Sequence, residues 1–322
     1  MPFAVAALVG LALLATPARA SGIDPRGVLA VAVDRPNGAS DLRLVSGSGA
    51  SGSWLTRTPG RSELDPAWSH NGRLLAYTVL GEASRVEVLD VRRKHVIQSL
   101  PGRQPTWAPA GRRLAFVRSD GLWTLALGHP ARRLVAQPGV DHPAWSPEGA
   151  RIAFGVVTGP WRTSEIDTVR PDGRGRAVLV GGTLPCGVDG GFGPTDPAWS
   201  HDGRRLAFVY VRDARCESQV VARPGVAVIS LPSGAVRIVV PPLARVEHLP
   251  PFQPDMCGCV FWAASPSWSP DDRWIAFSSG GPYAGRHVDV VRSSGRQVRL
   301  LASDAHTAAW RGEGWPPSGA KT

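Results

Sequence analysis

Lysine is almost missing from this chain: Lys94 and Lys321 are its only two, so arginine supplies nearly all of the 36 basic residues. Helical periodicity is missing as well. After the first twenty residues no long stretch repeats its apolar positions every 3.6 residues, which argues against a helical or α/β chain. None is apolar over the roughly 20 residues that a membrane-spanning helix needs. The familiar catalytic signatures are absent: there is no Gly-x-Ser-x-Gly elbow, no His-Glu-x-x-His pair and no phosphate-binding Gly-rich loop. No catalytic residue and no cofactor is therefore assigned. Most Asp and Glu fall in turns, where Asp has a conformational role.

What is there is a turn-rich, apolar chain. Of 322 residues 43% are apolar, while Gly 37 and Pro 30 punctuate short apolar runs. That punctuation predicts an all-β protein with many short strands. Residues 1–20 resemble an export signal: Phe3 to Ala15 form an apolar core, and Ala18-Arg19-Ala20 fits a small-x-small cleavage site before Ser21. No Lys or Arg precedes the apolar core, so retention as an anchor is the competing reading. Four cysteines, an even number, suit an oxidising compartment. The expected localisation is therefore periplasmic or extracellular. A formal net charge of +10 favours acidic partners or surfaces.

One phrase recurs along the chain. Asp65-Pro66-Ala67-Trp68-Ser69-His70-Asn71-Gly72-Arg73-Leu74-Leu75-Ala76-Tyr77 returns from Gln104 to Phe116, His142 to Phe154, Asp196 to Phe208 and Ser265 to Phe277. Its tryptophans, at 68, 107, 145, 199 and 268, lie 39, 38, 54 and 69 residues apart. A unit of about 40 residues with later insertions has the length of a propeller blade. Pro-x-Trp-Ser reads as a short first strand with Pro near its start. Ser-Pro-x-Gly, as in Ser146-Pro147-Glu148-Gly149, suits a type I turn, and Arg-x-Leu-Ala-Phe opens a second strand. Third and fourth strands follow, such as Leu122–Leu127 and Arg132–Val135.

The ends of the chain set the number of blades. Residues 27–57 supply only strands two to four: Gly27 to Val33, Asp41 to Val45 and Trp54 to Arg57. The missing first strand is Thr307-Ala308-Ala309-Trp310-Arg311. The expected fold is a six-bladed β-propeller of four-stranded antiparallel blades over residues 21–311. The strand around Trp310 completes the N-terminal blade and hides the open edges. Residues 312–322 read as a disordered, Gly- and Pro-rich tail. The phrase resembles the WD40-like repeat of the TolB propeller family over nearly all of the mature chain. TolB itself carries an α/β domain before its propeller, and that domain has no counterpart here. The likeness therefore implies the fold more than a role in the Tol–Pal system.

Strand order sorts the loops onto two faces. Turns between strands one and two, and three and four, share a face rich in arginine, with Arg73, Arg112, Arg151, Arg204 and Arg273 in the first set. Docking onto an anionic surface competes there with a solvated face; nucleic acid is excluded because aromatics are not interleaved. The opposite face takes the insertions, 182–195, 212–223 and 242–264, over blades four to six. They hold Cys186, Cys216, Cys257 and Cys259, which predict at least one disulfide of undetermined pairing. Cys-Gly-Cys spacing disfavours a four-thiolate zinc site, and no metal is assigned. Trp161, Phe192, Phe252, Trp262 and Tyr283 are candidate partner-binding aromatics there, with a small satellite core as the alternative. Around the central channel the polar residue three before each Trp, with its neighbours, gives a candidate ligand set of Asp65, Gln104, His142, Asp196 and His306. The expected function is a monomeric, non-catalytic module binding a protein or cell-envelope polymer through the insertion face. The alternative is a channel-mouth enzyme or cation-dependent carbohydrate-active propeller.

Overall fold

A computed structural model describes residues 27–158, 163–181, 194–216, 219–241, 262–281 and 285–312. Its strands form six four-stranded antiparallel sheets, with no helix among the described residues. Blade one consists of Ala305–Trp310, Val28–Asp34, Ser40–Ser46 and Ser51–Trp54, in that spatial order. Blades two to six take their first strands from Ser62–Trp68, Arg103–Trp107, Val140–Trp145, Thr195–Trp199 and Trp262–Trp268. The ring therefore closes as its sequence predicts, by pairing the two ends of the chain: Leu29 lies opposite Trp310 and Ala30 opposite Ala309.

Closure is driven by burial on both faces of each blade. Along Val28–Asp34, Leu29 and Val31 pack against blade six through Trp274, Ala276 and Val290. Ala30 and Ala32, pointing the other way, pack against Trp68, Leu75 and Tyr77 of blade two. All four are fully buried. Period-2 alternation thus buries the four consecutive residues Leu29 to Ala32 instead of every second one. Complete burial of a Leu or Val side chain is worth about 1.5–3 kcal/mol.

Two segments differ from their sequence reading. The fourth strand of blade one is Ser51–Trp54, not Trp54–Arg57. The Trp54 ring lies beneath the Arg43 and Arg57 guanidiniums, 5.0 and 5.2 Å from its centre. Leu55 and Thr56 both donate to the Leu42 carbonyl, at 2.8 and 3.3 Å, which ends the regular ladder. The second departure is in blade five, where most of the 212–223 insertion is not a loop. Arg205–Cys216 and Gln219–Ser230 continue as one antiparallel ribbon, with Arg212 opposite Arg223 and Cys216 opposite Gln219.

The turn face has a clamp of its own. Where the repeat has glycine, blade six has Asp272, held at φ 56°. Its carboxylate accepts the His201 amide at 2.8 Å, the His201 Nδ1 proton at 2.9 Å and the Asp202 amide at 3.0 Å, tying the blade-six turn to that of blade five. Asp272→Gly would relieve about 1–2 kcal/mol of left-handed strain but forfeit charge-assisted hydrogen bonds worth about 1.5–3 kcal/mol each. The expected outcome is a net loss of stability in denaturant titration, although the substitution restores the consensus glycine. A stabilised Asp272→Gly protein would show the clamp to be idle.

Candidate functional site: the central channel

Each first strand carries the same local distortion. Asp65, Gln104, His142, Asp196, Ser265 and Thr307 all have positive φ, between 43° and 53°. At each of these points the pairing with strand two shifts register, as between Leu64 and Ala67 or between Asp141 and Ala144. Such bulges leave one residue unpaired and re-aim its side chain. Left-handed backbone costs a non-glycine residue about 1–2 kcal/mol, so the ring needs a compensating interaction. It comes from the preceding blade, whose side chain accepts the freed amide in five of the six places. Asp65 N donates to Thr307 Oγ1 (3.1 Å), Gln104 N to Thr78 Oγ1 (2.8 Å) and His142 N to Gln104 Oε1 (3.2 Å). Ser265 N donates to Asp196 Oδ2 (3.0 Å) and Thr307 N to Ser278 Oγ (2.9 Å).

Below the bulges lies a funnel of about 280 Å³, bounded by the six bulge residues and six tryptophans. Three of these rings stitch neighbouring blades together: Trp107, Trp199 and Trp268 donate Nε1–H to the carbonyls of Ala67, Ala144 and Ala198. His201, from a strand-one-to-two turn, also lines the cavity, so it opens on the arginine-rich face.

Three of the candidate ligands meet at the bulge ring. His142 Nδ1 lies 2.8 Å from Asp196 Oδ1 and 3.3 Å from Asp141 Oδ1. Gln104 Nε2 is 2.9 Å from His142 Nε2, and Arg103 bridges the Gln104 Oε1 and Asp141 Oδ1 atoms at 2.8 Å each. Burial pulls the imidazole downward, but the carboxylates of Asp196 and Asp141 outweigh it and raise it well above its ordinary value. The Gln104 donor opposes them by favouring an unprotonated Nε2. A neutral hydrogen bond is worth about 0.5–1.5 kcal/mol net, less than ionic attraction at this separation and an effective dielectric of ~20, so the carboxylates prevail. Asp196 resists its own burial through His142 and lies below the usual carboxylate range. Asp141 is likewise lowered against burial by His142 and Arg103.

Asp65 lines the channel. Burial raises its carboxyl, and the His142 charge offsets that only in part. His306 does not join the group: its Nε2 contacts Asp34 Oδ1 at 2.8 Å and Ser40 Oγ at 3.0 Å within blade one. No group of three His, Cys, Asp or Glu among the described residues has a metal-binding arrangement. Trp161, Phe192, Phe252, Tyr283, Cys186, Cys257 and Cys259 lie outside the described residues, as do residues 1–20 and 313–322. Trp262 and Cys216 are placed by backbone only, at the start and end of their strands. The bulges and the Asp272 clamp were not anticipated. The signals for them were a polar residue before Pro-x-Trp in five copies, and Asp272 where the other four copies have Gly72, Gly111, Gly149 and Gly203.

The geometry defines a closed six-bladed propeller with a polar channel. No family model and no curated relative matches the sequence. Among solved structures it is similar to TolB from Acinetobacter baumannii, at 18% identity and TM-score 0.68 over 89% of this chain and 67% of that one. A putative TolB from Agrobacterium tumefaciens matches at 13% identity and TM-score 0.57 over 90% and 92%. A chain of the nidogen/laminin complex matches at 9% and 0.60 over 88% and 98%. The chain thus has the propeller fold seen in TolB. That fold does not dictate function, since a GH74 enzyme of Niastella koreensis matches at 12% identity and TM-score 0.53, over 87% of this chain and 46% of that one.

The raised His142 makes a prediction with a definite sign. A group whose folded pKa lies above its unfolded value stabilises the fold fully below about pH 6.5. That stabilisation fades as pH rises through the folded value. Calorimetry should show the melting temperature falling on the alkaline side for the wild type and falling less for His142→Gln. Parallel profiles would mean that the ring is not charged in the channel.

Proposed function

We propose that the protein is an exported, non-catalytic propeller that recognises a protein partner with the end opposite its turn face, over blades four to six. The observation that carries this reading is the blade-five ribbon. Elsewhere the second and third strands are six to eight residues long, but here both have 12. The extra pairs run from Val211 opposite Pro224 to Cys216 opposite Gln219. At about 3.3 Å per residue they project roughly 20 Å beyond the blade. The first strand pairs only up to Val209, and the fourth pairs from Val226 onward, so neither neighbouring strand covers the extension. A lone two-stranded ribbon is marginal in water, and its open edges can accept another strand.

The same end carries the connections that contain Trp161, Phe192, Phe252 and Tyr283, and it is where Trp262 begins the blade-six first strand. Aromatic residues on connections over a rigid scaffold suit a binding hot spot, and the connections that hold Phe192 and Phe252 are long. A disulfide among Cys186, Cys216, Cys257 and Cys259 would brace the ribbon against these connections. The channel supports a catalytic or cation-dependent reading less well. His142, Asp141, Asp196, Gln104 and Arg103 satisfy one another, leaving Asp65 as the carboxyl outside that network.

The test is to replace residues 212–223 with an Asn-Gly turn and compare capture of an envelope protein by the two chains after crosslinking. Unchanged melting with capture reduced more than about tenfold, the scale of a lost hot spot, is expected. Equal capture would contradict the assignment. Trp262→Ala should weaken capture in the same direction.

A further inference from the structure

Charge is divided unevenly between the described loops at the two ends of the ring, the blade-five ribbon apart. Among the described residues, the turns joining strands one to two and three to four carry twelve cations and five acids. The described loops at the other end carry three of each. Eleven of the twelve turn cations are exposed, Arg151 being the exception. The repeat accounts for part of this, since an arginine closes the first turn of blades two to six, at 73, 112, 151, 204 and 273. It does not require the run Arg92-Arg93-Lys94 or the trio Arg170, Arg174 and Arg176 in three-to-four turns.

The cations also surround a recess. Between the turns of blades two and three lies a cleft of about 290 Å³ with Arg73, Arg93 and Arg112 at its rim and Leu74 and Trp107 among its walls. Asp90 sits in the same cleft, 3.3 Å from Arg93 Nη1, and accepts the Arg93 amide at 2.9 Å. Hydrogen bonding by that amide, followed by the guanidinium charge, keeps its carboxyl below the usual range. Three guanidiniums against one carboxylate leave the recess cationic. Guanidinium groups bind phosphate oxygens in pairs.

A second, independent observation gives the surface its orientation. The strand Val28–Asp34 starts at the turn end: Gly27 O accepts from Gly47 of a turn at 3.0 Å, and Val28 O accepts from Arg311 N at 2.8 Å. Gly27, the first described residue, therefore lies on the arginine-rich face, with the apolar run Phe3 to Ala15 upstream of it in the sequence. Where that run is retained as an anchor, it would tether the ring through Gly27, on the same side as these arginines.

We propose that the turn face is a docking surface for a bilayer containing anionic phospholipid, with the Arg73–Arg93–Arg112 recess taking a headgroup phosphate. Docked this way, the blade-five ribbon points away from the membrane. Each basic residue near such a surface contributes about fivefold to binding, and the attraction is screened by salt.

Co-sedimentation of the chain lacking residues 1–20 tests this without the apolar run. The expected result is binding to vesicles of about 30% phosphatidylglycerol in phosphatidylcholine at low salt, none to phosphatidylcholine alone, and release near 0.5 M salt. Combined Arg73→Gln, Arg93→Gln and Arg112→Gln should weaken binding at least about tenfold. Arg43→Gln, Arg85→Gln and Arg118→Gln, which remove the same net charge away from the turns, should leave it nearly unchanged. Absence of binding to the phosphatidylglycerol vesicles would overturn the proposal, as would equal losses in the two triple variants. Tight binding to polyglutamate, with no vesicle binding, would assign the face to an acidic polypeptide instead.

Discussion

A four-stranded blade is apolar on both faces and cannot cover either one, so each sheet needs neighbours on two sides until the ring returns to its start. The strand Val28–Asp34 shows the constraint most plainly, with odd-numbered side chains in the blade-six interface and even-numbered ones in the blade-two interface. Its partner Ala305–Trp310 comes from the far end of the chain. Pairing the two termini leaves no blade with an unshielded inner face, and it fixes which loops share an end.

The channel follows from that closure. Six first strands brought side by side would crowd the axis, and each kinks at the same position instead, turning a polar side chain inward. The cost of these left-handed residues is met at five of the six by amides that donate across blade boundaries, so the strain itself becomes a blade-to-blade fastening. The charged residues there serve the same end. His142 between two carboxylates, with Gln104 and Arg103 around it, is a structural knot joining blades three, four and five.

Much of this was legible in the sequence because the repeat is regular. The blade count, the four strands per blade and the shared closing blade follow from the spacing of Trp68, Trp107 and Trp145 and from the unpaired strands at residues 27–57. The inward position of Asp65, Gln104, His142 and Asp196 was legible too, from their fixed offset to the tryptophans. What they would do there was not, because whether His142 meets Asp196 or solvent depends on where two blades separated by 54 residues come together. His306 illustrates the limit: it neighbours a channel position in sequence, yet turns into blade one toward Asp34. The ribbon of blade five was hidden for another reason. Arg212, Asp213, Arg215 and Arg223 give it the composition of a loop, so the continuation of both strands could not be read from the residues.

Pairing of the two chain ends is the central claim, and native-state hydrogen exchange measures it directly. The amides of Leu29 to Val33 should exchange as slowly as those of Leu75 to Tyr77, through opening of the whole ring and with the same dependence on denaturant. Exchange of Leu29 to Val33 through local fraying, orders of magnitude faster than that of Leu75 to Tyr77, would contradict the closed ring.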